Sequence, residues 1–132
     1  LKGHEQRIEC HREALAAKNE PFTLVSDQPE GSSAFGVEKG GYRIDCMGIN
    51  ISSLLEKHQP IDAIKVDCEG GEVHLLEMSN TEICSIPFWM VETHTKELYH
   101  SIIKKFSENG FANTYDIELN SDVNLLHFKR LT

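Results

Sequence analysis

The chain predicts an α/β fold: mostly parallel strands with helices on their faces, an early β-hairpin ahead of them, and an antiparallel hairpin at the carboxyl end. Three observations predict it. Residues 61–67, IDAIKVD, are too few for a helix and too apolar for an exposed strand, which fits a strand buried on both faces. Residues 87–91, within SIPFWMVETH, make a second apolar strand. The stretch that follows, TKELYHSIIKKFSENG, places Leu98, Ile102, Ile103 and Phe106 on one helical face. Strand, helix, strand, helix and hairpin in that order suit an α/β sandwich.

The elements can be justified in chain order. RIECHREAL suggests a short strand running into a turn. PFTLV, 21–25, is β-prone, and in YRIDC, 42–46, Tyr42, Ile44 and Cys46 alternate with Arg43 and Asp45, so the two are expected to pair antiparallel. Between them residues 26–41 are rich in Gly, Ser and Pro and read as a flexible exposed loop, either a flap over a substrate or an ordinary loop. Asn50 or Ser52 can cap a helix through ISSLLEKHQ, with Ser53 and Glu56 at capping-box spacing and Pro60 as its stop. EVHLLEM after Gly70-Gly71 is a short helix, Asn109-Gly110 a left-handed helix cap, and FANTYDIE with VNLLHFKR the closing hairpin.

Composition narrows the class. At 132 residues the chain is expected to be a single domain with a real core. A formal charge of −8 with no basic run excludes a nucleic-acid backbone as the main partner. No apolar stretch approaches the roughly 20 residues that span a bilayer, and LKGHEQR is not a signal peptide, so a cytoplasmic protein without membrane partners is expected. The four cysteines are scattered and read as free thiols. Cys68, between Asp67 and Glu69, has its thiolate disfavoured and is assigned to packing.

The most specific stretch is IDAIKVDCEGGE, 61–72. It resembles the signature of the FkbM-type S-adenosylmethionine-dependent methyltransferases: Ile-Asp, two apolar residues, Lys, an apolar residue, then Asp-x-Glu-Gly-x-Glu, with Gly71 where a small residue such as Ala is common. HREALAAKNEPFTL, INISSLLEKH and VETH are similar to flanking stretches of that family, so the resemblance runs from about residue 8 onward. It implies a Rossmann-like sheet of order 3-2-1-4-5-7-6, present here as its carboxyl-terminal portion. The family's first strand and Gly-rich loop have no counterpart, since neither Gly40-Gly41 nor Gly70-Gly71 sits in a G-x-G-x-x-G context. Strand 61–67 would then have an open edge, expected to pair with the early hairpin, with a second copy in a homodimer, or with an amino-terminal segment.

Ligands of open α/β sheets lie beyond the carboxyl ends of the strands, where Asp67, Glu69 and Glu72 follow one strand and Glu92 and His94 the next. For the methyl transfer that the resemblance implies, Glu69, Glu92 and His94 are the candidates to align the acceptor and take its proton. His94 titrates nearest neutrality, and a carboxylate two positions away can hold its tautomer if a bend brings them together; the alternative is a helix-start residue bonded to backbone. Asp67 is placed against the sulfonium and adenosine of S-adenosylmethionine, or as a helix cap, and Gly70 permits a tight turn or close ligand approach. From the resemblance, Glu13 and Ala14 would lie near the adenine. Lys65, on a buried strand, requires Glu92 or Glu72 as a partner. Asp67, Glu69, Glu92 and His94 also form a set that suits a divalent cation, although no metal is assigned. The expected function is O-methylation of a small-molecule or sugar hydroxyl, polyketide-like metabolites included; a non-catalytic remnant or assembly module and a metal-dependent hydrolase are the alternatives.

Overall fold

The alternating residues at 42–46 form part of β4 (Tyr42–Ile49) in the computed structural model, which describes residues 8–28, 31–33 and 42–131. β4 pairs antiparallel with β2 (Pro21–Gln28), Leu24 lying opposite Ile44 as the alternation requires, and parallel with β1 (Glu13–Leu15) on its other side. β3 (Gly31–Ser33) returns along β2 and completes the order β1-β4-β2-β3. The loop expected over 26–41 is therefore strand in part. The edge of β2 away from β4 offers unpaired backbone groups, and β3 takes them up. Residues 29–30 and 34–41 of that stretch lie outside the described residues.

Helix α1 (Ile51–His58) starts at Asn50, whose side chain accepts the Ser52 N–H. The capping box expected at Ser53 and Glu56 does not form, because Ser53 lies inside the first turn and its hydroxyl accepts a hydrogen bond from the Asn19 side chain at 2.8 Å. Asn19 also accepts the Asn50 N–H, and Asn50 donates to the Ala17 carbonyl, so the cap ties the first sheet to α1. The chain continues through β5 (Ala63–Val66), a 3-10 helix (Gly71–Glu77), α2 (Asn80–Cys84), β6 (Phe88–Thr93), α3 (Lys96–Glu108), β7 (Phe111–Glu118) and β8 (Asn124–Arg130). Helix α2 was not foreseen. Its signal is a real capping box, with the Ser79 hydroxyl accepting the Glu82 N–H and the Glu82 carboxylate accepting the Ser79 N–H. Gly110, at φ +78°, supplies the left-handed residue after α3.

The second sheet has the order β5-β6-β8-β7, and only β5 and β6 run parallel. This corrects the expectation of mostly parallel strands. Within this sheet the described residues provide one crossover, from β5 to β6; the closing hairpin then inserts β8 beside β6, antiparallel to it and to β7. A second correction concerns β5, which does not pair with the early hairpin. Both edges of β4 are already taken by β1 and β2, so β5 stands at the sheet edge with β6 as its one strand partner among the described residues. Lys65 and Asp67 put charge on that edge, a common protection against uncontrolled pairing.

The core sits on one face of the second sheet. Trp89, Val91, Leu126 and Phe128 from β6 and β8 meet Ile102 and Phe106 from α3, and Ile83, Ile86 and Leu75 fill the space beside them. Phe106 stacks on Phe128 at 4.4 Å between ring centres and meets Trp89 and Phe111 edge-on. The first sheet is more open: Tyr42, Ile44 and Met47 are exposed. No helix among the described residues is long and apolar enough to cross a membrane.

Replacing Phe106 by Ala should lower unfolding free energy by about 3–5 kcal/mol, read by denaturant titration, because it removes the ring that three aromatic partners pack against. Glu82 gives an acid-side prediction. Hydrogen bonds from the Ser52 hydroxyl, then from the Ser79 hydroxyl and backbone, hold its carboxyl below the ordinary range. A carboxyl lowered on folding adds stability above its unfolded value, and that contribution is lost as pH falls through the folded value. The gap in melting temperature between wild type and Glu82→Gln should therefore be widest at neutral pH and close on acidification below the ordinary carboxylate range.

Candidate active site

Val66 is buried at the end of β5, and the chain leaves the sheet at Asp67. It turns at once through two left-handed residues, Glu69 at φ +48° and Gly70 at φ +104°. The turn is closed by Glu72, which is fully buried at the start of the 3-10 helix and accepts the Cys68 N–H at 2.6 Å and the Gly70 N–H at 2.9 Å. The space at Gly71 is tight: an added Cβ would stand 3.0 Å from the Cβ of Cys68, which would have to give by a few tenths of an ångström. On the parallel neighbour, β6 delivers Glu92 and then a fully buried Thr93 before the chain bends into α3. Thr95 is the cap of that helix, its hydroxyl accepting the Leu98 N–H. His94 stands just ahead of the cap, at the junction of strand and helix.

The structure brings Glu69, Glu92 and His94 together around one imidazole. His94 Nε2 lies 3.5 Å from Glu69 Oε2 and 3.7 Å from Glu92 Oε1, while Nδ1 lies 3.3 Å from Glu72 Oε1. The ring is 16 % exposed, and its Nδ1 is buried with no well-aligned hydrogen bond among the described residues. Glu72, which the sequence suggests as a partner for Lys65, is thus the carboxylate nearest to His94. Its signal in the sequence is positional: an acid four residues after Cys68, where a strand-to-helix turn leaves backbone N–H groups facing inward.

Lys65 is not buried and does not pair with Glu92 or Glu72. Its side chain is half exposed at the sheet edge, and its ammonium donates to Asp67 at 2.6 Å, a bond that raises it above the ordinary lysine value. Being at an edge rather than in a sheet centre, it needs no interior partner. Burial pushes the Cys68 thiol up, with the negative charge of Glu72 and Asp67 adding to the effect, so Cys68 is a poor nucleophile. Asp67, Glu69 and His94 offer ligand atoms within 4.8 Å of one another, enough for a divalent cation to bridge them.

Two cavities flank this turn. One, of about 370 Å³, is walled by Gly70 and His94 together with Val73, Leu76, Leu98 and Ser101. The other, of about 250 Å³, lies between the sheets and is walled by Glu13, Leu15, Ile64, Lys65 and Cys68. Ala14 is buried in β1 opposite Gly48, its side chain alternating away from those of Glu13 and Leu15. The residues expected to hold a cofactor are therefore divided: Gly70 on one side of the turn, Glu13 on the other, Asp67 at the strand end between them.

Gly70→Ala should destabilise the fold by about 1–2 kcal/mol, because a side chain is strained at positive φ. A melting temperature equal to wild type would contradict the conformation of this turn.

Comparison with known proteins gives one result. Neither the curated proteins nor the solved structures include a match to the chain. The model of the methyltransferase FkbM domain matches residues 3–112, from ahead of β1 to the start of β7. The match includes the first sheet, β5, β6, the acidic turn and His94, and the chain belongs to the FkbM methyltransferase family.

Proposed function

We propose that this protein transfers a methyl group from S-adenosylmethionine to a hydroxyl oxygen of a small molecule or sugar. One observation carries the proposal: His94, flanked at Nε2 by Glu69 and Glu92, stands on the wall of a cavity that Val73, Leu76 and Leu98 make apolar. When bound, S-adenosylmethionine supplies an electrophilic methyl group on a sulfonium cation. Asp67, Gly70 and Glu13 would hold it, whereas Ala14 faces away from the cavity that Glu13 lines. The negative charge of Asp67 and Glu69 suits a cation, the bare backbone of Gly70 permits close approach, and Glu13 lines the neighbouring cavity.

The remaining work falls to the chain's own side chains. His94 Nε2 accepts the proton of the acceptor hydroxyl as its oxygen becomes nucleophilic, and the adjacent Glu69 and Glu92 stabilise the imidazolium that results. Val73, Leu76 and Leu98 seat the apolar body of the acceptor and keep bulk water from the oxygen. The sheet order supports this assignment. In β5-β6-β8-β7 the last strand lies between its two predecessors, as in the 4-5-7-6 portion of a methyltransferase sheet. We include in the proposal a partner for the edge of β5, a second copy of the chain or an amino-terminal segment, that supplies the other wall of the cofactor pocket.

A metal-assisted hydrolase is the second reading, favoured by the convergence of Asp67, Glu69 and His94. Calorimetric titration separates the two. S-adenosylmethionine should give binding heat, and Mg²⁺ or Mn²⁺ should not. His94→Ala should lower the rate of methyl transfer by roughly 100-fold or more and leave cofactor affinity little changed. An absence of cofactor binding by monomer and oligomer alike would overturn the proposal, and tight Mn²⁺ binding lost in Asp67→Asn would favour the second reading.

A further inference from the structure

The imidazole of His94 has carboxylates at both ring nitrogens, and a neutral ring has one proton to share between them. Which nitrogen holds it decides whether His94 can act as a base. On the Nε2 side, Glu69 is 59 % exposed and 3.5 Å away, and Glu92 is 20 % exposed and 3.7 Å away, so water screens both. On the Nδ1 side, Glu72 is wholly buried and 3.3 Å away. Attraction between charges or dipoles grows as the effective dielectric falls, so the buried carboxylate has the stronger pull even at similar distance. A bare Nδ1 lone pair facing a carboxylate oxygen would be repulsive. It would also leave Nδ1 buried and unbonded, at a cost of about 1–3 kcal/mol.

We infer that Glu72 is a positioning residue that holds His94 in the Nδ1–H form and leaves the Nε2 lone pair directed at the cluster of Glu69 and Glu92. Glu72 is itself fixed, because the Cys68 and Gly70 N–H groups anchor both of its oxygens and burial leaves it no other rotamer space. The same carboxylate thus shapes the acidic turn on β5 and sets the tautomer of the histidine on β6. Nδ1 stands 3.3 Å from Glu72 Oε1, and the base function assigned to Nε2 above rests on the Nδ1–H form.

The test reads the tautomer directly and needs neither cofactor nor acceptor, so its outcome is independent of whether methyl transfer is the correct reaction. Long-range ¹⁵N–¹H correlation spectra are recorded on the full chain above the pH at which imidazoles titrate. A pyrrole-like shift at His94 Nδ1 and a pyridine-like shift at Nε2 are expected; the reverse pattern would overturn the inference. In Glu72→Gln, whose amide group cannot accept at both positions, the Nε2–H form should gain population, and any transfer activity should fall by roughly tenfold or more. A folded Glu72→Gln protein with an unchanged tautomer would also overturn it. If that variant does not fold, the wild-type spectrum decides alone.

Discussion

Glu72 is a carboxylate with no exposed surface in a protein whose other acids are mostly at the surface. Left unbonded, such a group would cost several kcal/mol of desolvation. It is tolerated because the turn after β5 points the Cys68 and Gly70 N–H groups inward, and both donate to its carboxylate. The left-handed conformations of Glu69 and Gly70 follow from this closure, since the chain has to reverse within a few residues to bring Cys68 N and Gly70 N onto one side chain. Asp67 and Glu69 are thereby turned toward the end of β6, where His94 meets them. The acidic cluster is organised from beneath by one buried acid.

Packing and chemistry divide the molecule. The aromatic cluster of Trp89, Phe106, Phe111 and Phe128 is far along the sheet from the carboxyl ends of β5 and β6, so the strands are held at one end and carry functional groups at the other. The first sheet contributes differently. It buries Ala14 and Ala16 and rests Leu15 against the core, and it supplies Glu13 to the cavity beside β5. Its joint to the rest is polar, built from Asn19, Asn50 and Ser53. The cavity between the sheets therefore has one firm wall and one lightly attached wall.

Much of this was legible in the sequence where a pattern had a single physical solution. The antiparallel pairing of 21–25 with 42–46, helix α3 with its glycine cap, and the closing hairpin all follow from periodicity and turn chemistry. The grouping of Glu69, Glu92 and His94 was legible because two consecutive strands end in acids. What failed depended on neighbours remote in sequence. Lys65 looked buried because its strand is apolar, but burial depends on what lies beside an edge, and no strand among the described residues pairs with that edge. The parallel content was overestimated because two apolar strands joined by a helical stretch suggest a parallel sheet, whereas the second sheet holds one such pair and the closing hairpin supplies its other pairings. Glu72 was overlooked as a partner of His94 because its inward orientation is set by the backbone N–H groups of Cys68 and Gly70, which no side-chain pattern reveals.

The insertion of β8 between β6 and β7 also separates two kinds of boundary. The family match ends at residue 112, one residue into β7 by its second position, yet Trp89 faces Phe128 and Val91 faces Leu126 across the β6–β8 pair. A fragment cut where the family pattern ends would keep Asp67, Glu69, Glu72, Glu92 and His94. It would leave one side of β6 without its β8 partner, and Trp89 without Phe128 opposite it. The family match and the sheet thus end at different places in this chain: the match stops at residue 112, and the pairing of β6 with β8 runs on to the strand that ends at Arg130.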